Sequence, residues 1–340
     1  MKTRKGYKTY PLTVAQKFHF YYLDRCPKKA VVNIGTSLTI EYKLDVDELR
    51  KAIYKAYDRC ESMRLRFAYD KEEKQWYQYV VEKENREIEY VDFSGKTMEE
   101  AEKIMTEWTE VPFEMEDAPM NRIVIIKTPD GNQWLYLLAD HLILDAQSLI
   151  CFLRDVIELY CNVMFEGMEY PKEMRSYIEQ LTKDLEYEAG SKAQQRDREY
   201  FYKLIEQSEP NAQNEIFRHT NFDPVEYRVY RSRLYPVEPG RSYEPMSLTY
   251  QPMTLKEQGL SKLGDIKYKT KWYPNGATTQ AMYLTVMHRP EDNGLDFNFE
   301  HQIAAITKEK LECFYYYMCK IMFKGIENPN LKIGEIIKLV

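Results

Sequence analysis

The chain has 340 residues, 44% hydrophobic and 30% charged, with 48 Lys and Arg against 54 Asp and Glu for a net charge of −6. That is globular composition, enough for one large domain or two moderate ones, and it excludes general disorder. The two signs of charge are interspersed without a basic block, which speaks against a nucleic-acid partner, and no apolar run nears the roughly 18 residues a membrane span needs. The basic amino terminus, residues 1–7, is followed by no apolar core and no small-residue cleavage site, so a cytoplasmic protein without membrane contact is expected. The six cysteines form no C-x-x-C and stand at no zinc-ligand spacing from a histidine, so free, mostly buried or half-buried thiols are expected. Tyrosine is abundant at 29, a packing residue whose hydroxyl reaches water.

Helix starts are the clearest local signals. Thr13 with Gln16, Asp45 with Glu48 and Thr97 with Glu100 each place a capping side chain three residues before an acid or amide. Amphipathic helices follow. Val14, Phe18, Tyr21 and Tyr22 share the first core-facing stripe, Val46, Leu49, Ala52, Ile53 and Ala56 the second, and Met98, Ala101, Met105 and Trp108 the third. Strands are expected at 31–42, 65–69, 75–81, 88–91, 122–127 and 133–140, the last two joined as a hairpin by Pro129-Asp130-Gly131-Asn132. A fourth helix covers 147–165, and a long charged helical stretch covers 172–207 with a break at Gly190. Beyond residue 225 a second strand-rich set is expected at 227–235, 247–251, 266–273, 280–288 and 295–301, with Pro274-Asn275-Gly276 as a further hairpin turn. A last helix at 308–323 presents Leu311, Phe314, Tyr315, Met318 and Met322 on one side. The halves are similar in kind, so two lobes, 1–170 and 171–340, with a cleft between them are expected.

Of the five histidines, His19, His141, His219, His288 and His301, the setting of His141 is the most informative. An apolar strand ends in Asp140-His141, passes through a short apolar turn to Asp145 and opens directly into a helix. Such a strand end holds an imidazole rigidly at a cleft. Consecutive strand residues point to opposite faces, so Asp140 and His141 are not expected side by side, whereas the turn can fold Asp145 back toward the backbone around His141. On the residues alone, a structural histidine is the plainer reading. His288 and His301 fall on expected strands that could face the cleft, though packing or exposure explains them as well. His219, beside Arg218 and Thr220 in a polar loop, is expected to face solvent. Phosphate-binding glycine loops, G-x-S-x-G and H-E-x-x-H are absent from the sequence, so nucleotide use, serine hydrolysis and zinc proteolysis have no support.

Asp140-His141-x-x-x-Asp145-Ala146 resembles the HHxxxDG motif of the condensation domains of nonribosomal peptide synthetases, in the chloramphenicol acetyltransferase-like superfamily. Further blocks agree in the family's order. Tyr10-Pro11-Leu12-Thr13 with Ala15-Gln16 resembles the opening block, and Leu44-Asp45-Val46-Asp47-x-Leu49 with Glu61-Ser62-Met63-Arg64-Leu65-Arg66-Phe67 resembles the second. Pro112-Phe113-Glu114 and Ala118-Pro119-Met120-x-Arg122 resemble the approach to the histidine strand, and residues 148–160, opening on Ser148, resemble the helix after it.

The resemblance implies an α/β fold, mixed sheets with flanking helices, in two chloramphenicol acetyltransferase-like lobes arranged as a V. It implies acyl transfer from a carrier-protein thioester to an amine or hydroxyl. His141 holds the place of the second motif histidine, in a tunnel reached from both ends by phosphopantetheine arms, where it accepts a proton from the attacking amine or orients it. Asp145 is expected to be structural and paired with Arg64, and backbone amides near Ala146 to help an oxyanion. Acyl or peptidyl carrier proteins and an adenylation enzyme are the implied partners. No tightly bound cofactor and no metal are expected.

Three departures stand out. Asp140 replaces the first motif histidine. Ala146 replaces the glycine, adding a methyl group that could narrow the tunnel. Between residues 202 and 250 the chain lacks much of the first part of the family's second lobe, so a curtailed second lobe is expected, although 280–301 and the last helix resemble that lobe's end. Two other readings remain open: a non-catalytic condensation-like module that docks a carrier or partner enzyme, and a free-standing acyltransferase using a coenzyme A thioester. An epimerisation role lacks the glutamate block of that family.

Overall fold

The computed structural model describes residues 3–207, 222–236, 246–251, 267–278, 280–289 and 294–340. Short strands β1 (Thr3–Arg4), β2 (Tyr7–Lys8) and β3 (Tyr10–Pro11) lead into helix α1 (Val14–Arg25). Next come β4 (Asn33–Ile40), α2 (Val46–Arg59), β5 (Leu65–Asp70), β6 (Gln75–Val80), β7 (Glu89–Asp92) and α3 (Met98–Thr109). The hairpin β8 (Asn121–Lys127) and β9 (Gln133–Asp140) precedes α4 (Ala146–Met164), α5 (Tyr177–Glu188) and α6 (Lys192–Gln207). After α7 (Pro224–Leu234) come β10 (Met246–Gln251), β11 (Tyr268–Tyr273), β12 (Met282–Arg289), β13 (Gly294–His301), α8 (Lys308–Glu327) and α9 (Ile333–Ile337).

The expected caps form. Thr13 and Thr97 make reciprocal capping boxes with Gln16 and Glu100, and Asp45 accepts the amides of Asp47 and Glu48. The central layer is a five-stranded sheet in the order β11-β4-β9-β8-β7, antiparallel except where β7 meets β8. Its strand period of two sends alternate residues of β9 to opposite faces. Leu135, Leu137 and Ala139 belong to the core shared with α2 and α4, which adds Leu49, Ile53, Phe152 and Val156. Tyr136 and Leu138 belong to the core on the α3 side, with Ala101 and Met105. Each such buried Leu, Ile, Val, Phe or Met side chain is worth roughly 1.5–3 kcal/mol, so these facing rows hold the layers together. Helix α3 lies so close to the sheet that a Cβ on Gly35 would stand 2.2 Å from Thr109 Oγ1, which explains the glycine in a strand centre. A second sheet, β3-β6-β5, flanks this unit, and a third, β10-β12-β13, packs Phe297 and Phe299 against Tyr315 and Phe314 of α8.

Several expectations are corrected. Residues 227–235 lie mainly in helix α7: Asp223 caps the Val225 amide and Pro224 takes the first turn, a start signal stronger than the β-branched and aromatic residues behind it. Pro274-Asn275-Gly276 does not close a hairpin, because β11 pairs with β4 while β12 pairs with β10 and β13. Asn275 Nδ2 instead donates to the Val31 and Asn33 carbonyls where the chain passes between sheets. β11 thus joins the central sheet through β4. The buried positions of α1 are Gln16 and Leu23, with Phe20 packed on the core, while Tyr21 is 42% exposed. The charged helical stretch starts at Tyr177, after residues 172–176 that are not helical, and it breaks at Gly190 (φ +96°) as expected. Cys313 is exposed, unlike the other five cysteines. Among the described residues no helix is long and apolar enough to cross a membrane.

Candidate active site

Strand β9 delivers Asp140 and His141 to opposite sides, as its pleat requires. Asp140 is 2% exposed, and its Oδ1 accepts the Leu142 amide at 2.8 Å, closing a side-chain-to-backbone turn. Burial pushes its pKa up to about 7, the Leu142 amide opposing only in part. The His141 amide donates to the Val32 carbonyl just before β4 at 2.9 Å, and the Ile143 amide to the Asp140 carbonyl at 3.1 Å. The backbone on both sides of the histidine is thus fixed.

The His141 ring opens onto a cavity of about 1610 Å³. Thr13, Gln16 and His19 of α1 and its cap border it, with Asp145, Ser148 and Cys151 around the start of α4, Glu61 after α2, and the 169–184 segment that carries α5. The surrounding protein disfavours a charged ring and lowers the His141 pKa below the ordinary histidine value, against the opposing pull of Asp145 and the His141 and Leu144 backbone. His19 stacks on His141, ring centroids 4.9 Å apart and planes within 17°. Burial first, and repulsion from His141 second, lower the His19 pKa to about 4. At neutral pH the pair is uncharged.

Beneath the rings lies a buried amide cluster. Gln16 Nε2 donates to Gln78 Oε1 at 2.9 Å while Gln78 Nε2 donates to Gln16 Oε1 at 2.8 Å, and the Tyr177 hydroxyl donates to Gln78 Oε1 at 2.6 Å. Gln16 Nε2 also lies 3.2 Å from the Leu142 carbonyl, so helix α1 grips the turn that carries His141. A satisfied cluster of this kind rigidifies what it touches.

Asp145 and Arg64 do not form the expected pair. Asp145 is exposed and caps α4, its Oδ1 accepting the Ser148 amide at 2.7 Å. Arg64 is buried and spends its guanidinium on backbone carbonyls, those of Tyr57 and Asp58 at the end of α2 and those of Val81 and Glu82 after β6. Each group finds its partners locally. The Ser148 amide, engaged by Asp145, is not free for an oxyanion. Ala146 is not part of the cavity wall, so its methyl group does not narrow the site.

The other candidates lie elsewhere. His301 Nδ1 meets the Ile306 carbonyl at 3.0 Å beyond the end of β13, and neither His301 nor His288 borders the cavity. His219 is outside the described residues. No described residue from 272–283 or 297–301 borders the cavity, and Trp272 packs on the core beside β4. Among the described residues, no three His, Cys, Asp or Glu side chains gather as metal ligands.

The residues that sequence reasoning passed over are His19, Gln16 and Gln78. The first two lie three residues apart on a helix and share one face, but that face is opposite the expected apolar stripe, so nothing in the sequence marked them for the site.

The α/β fold is that of condensation domains of known structure. The first condensation domain of the calcium-dependent antibiotic synthetase, in complex with a substrate analogue, matches with a TM-score of 0.76 at 15% identity, covering 96% of this chain and 98% of that one. The starter condensation domain of rhizomide synthetase matches with a TM-score of 0.68 at 14% identity, covering 90% and 93%. The condensation domain family model matches residues 7–220, and the chain belongs to that family. It is 30% identical over 152 residues to surfactin synthase subunit 2 of Bacillus subtilis (strain 168), covering 44% of this chain and 4% of that protein. It is 31% identical over 153 residues to tyrocidine synthase 3 of Brevibacillus parabrevis, covering 44% and 2%. The chain thus spans a small fraction of the length of the curated relatives it matches.

Proposed function

We propose that the chain performs condensation-type acyl transfer, joining an acyl group held as a carrier-protein thioester to an amine or hydroxyl acceptor. The observation that carries this reading is the His141 imidazole, fixed on a strand-end turn at the wall of a large cavity in a member of the condensation family, where burial lowers its pKa and favours the neutral ring. A neutral imidazole accepts a proton. As the acceptor amine attacks the thioester carbonyl, a C–N bond forms and His141 takes the N–H proton. Collapse of the tetrahedral adduct breaks the C–S bond, and the proton passes to the departing phosphopantetheine thiolate. Asp145 and Asp140 shape the turn and take no part in the chemistry. Acyl or peptidyl carrier proteins are the proposed partners, with an adenylation enzyme supplying the loaded carrier.

One observation favours a second reading, a module that docks a carrier without turnover. Among the described residues the cavity is lined only by residues between 13 and 184, so the described chain beyond α5 contributes no wall. The same experiment separates the two. The protein is incubated with acetyl-, octanoyl- and aminoacyl-loaded carrier protein and a panel of amino acids, and intact mass reports loss of the acyl group. His141→Ala is expected to keep its thermal transition and to lose about 10²-fold or more in rate, the scale of a positioned acid-base group. Carrier binding with no His141-dependent deacylation across the panel would support docking alone.

A further inference from the structure

Helix α1 meets the His141 turn at two points. Gln16 Nε2 donates to the Leu142 carbonyl, and one turn further His19 lies flat on the His141 ring, 4.9 Å away with planes within 17°. Residues three apart on a helix share a face, so one face of α1 holds the backbone of the turn by an amide and its imidazole by a ring. An imidazole on a strand-end turn has a free χ2 torsion unless something fixes its plane. Packing against a second ring, beside the contact with the Leu144 backbone, limits that freedom, closes one face of His141 and leaves the ring edge as the point of approach.

We propose that His19 is a positioning residue for His141, holding the plane of the His141 ring so that the acceptor meets a ring nitrogen at a fixed angle. For its effect on turnover this rests on the acyl-transfer reading above; the ring contact itself stands apart from it. The helix that presents His19 is itself pinned. The Val14 amide donates to Glu188 Oε1 at 2.8 Å on α5, and Arg228 of α7 donates to the Tyr22 hydroxyl at 2.8 Å while its guanidinium lies 4.9 Å from the Phe18 ring. His19 therefore acts from a fixed support. Two stacked imidazolium ions would repel, so when His141 takes up the acceptor's proton His19 stays neutral and keeps its flat contact.

The test compares His19→Leu, which keeps volume but removes the ring, with His19→Phe, which keeps a flat ring but removes the nitrogens. Histidine-labelled protein reports the ring protons of His141 by NMR, and the octanoyl-carrier and amino-acid assay gives kcat and KM. In the wild type the stacked His19 ring shifts a His141 ring proton upfield. That shift is expected to vanish in His19→Leu and persist in His19→Phe. Turnover is expected to follow, with kcat down about tenfold in the Leu variant, KM changed less than about twofold, and most of kcat recovered in the Phe variant. An unmoved His141 signal in folded His19→Leu overturns the proposal. So does a loss carried by KM instead of kcat, or a Phe variant as impaired as the Leu variant. If His19→Leu does not fold, a wild-type nuclear Overhauser contact between the two rings supports the stack and its absence overturns it. Full turnover in His141→Ala defeats the acyl-transfer reading and the kinetic role of His19 together, while the ring shift still reports the contact.

Discussion

Replacing Asp140 by Asn tests the buried carboxyl beneath the His141 turn. Asp140 is 2% exposed, its pKa is raised to about 7 by burial, and its Oδ1 accepts the Leu142 amide. An unfolded aspartate ionises near pH 3.9, so below about pH 4 both states are protonated and the group is neutral in its effect. As the pH rises further the unfolded chain loses the proton while the folded one keeps it. Stability therefore falls by about 1.4 kcal/mol per pH unit until roughly pH 7 and then levels off, a total of about 4 kcal/mol. Asparagine presents the same carbonyl to Leu142 and never ionises. Asp140→Asn is thus expected to match the wild type near pH 4 and to exceed its stability by about 2–4 kcal/mol at pH 8. Urea unfolding of both proteins at half-unit intervals from pH 4 to 8 measures the difference, in which the titration of all other groups cancels. A difference that stays flat over this range would refute the reasoning, because it would mean that Asp140 ionises alike in both states.

Two further predictions concern stability. Asp145→Ala is expected to cost only about 1 kcal/mol, the worth of an exposed helix cap, with Asp145→Asn near neutral; a loss of about 3–5 kcal/mol in denaturant titration would instead reveal a buried ion pair. Arg59 pairs with Asp155 through two nitrogens, side chains 13% and 5% exposed, and also donates to the Pro171 and Lys172 carbonyls at the cavity rim. Arg59→Ala is therefore expected to cost about 3–5 kcal/mol and to open the 166–176 segment to limited proteolysis, whereas an unchanged cleavage pattern would detach that rim from the ion pair.

Much of the first half of the fold could be read from local chemistry. The Thr13 and Thr97 boxes, the apolar run of β9 and the Pro129–Asn132 turn each encode their own geometry within a few residues, and the structure keeps all of them. Non-local pairings could not be read this way. Nothing in residues 268–273 announces that they pair with Ile40 through Gly35, more than 200 residues earlier, so the turn that follows reads as a hairpin when taken alone. Helix α7 shows two local signals in conflict, Asp223-Pro224 for a helix and Tyr227, Val229 and Tyr230 for a strand. Tertiary packing, with Tyr230 stacked 3.7 Å from Tyr202 of α6, satisfies the aromatic side chains without a sheet.

The site divides along the same line. The strand, turn and cap around His141 were legible because they are contiguous in sequence. The rest of its surroundings was not, because it comes from α1, more than 100 residues earlier, and from the elements that pin α1. Among the described residues from Tyr177 to Leu234 only α5 borders the cavity, yet Glu188 and Arg228 fix the helix that carries Gln16 and His19. A motif read by resemblance points to His141 but not to what supports it. In this chain the Asp145–Arg64 pairing expected from the motif is absent, and the turn is held by an Asp145 helix cap, an Asp140 turn, and an amide and an imidazole offered by α1. Because those four contacts are separate, weakening one leaves three, and the orientation of His141 should degrade by steps as they are removed. If the Asp145–Arg64 pair were the single support, losing it would collapse the turn at once.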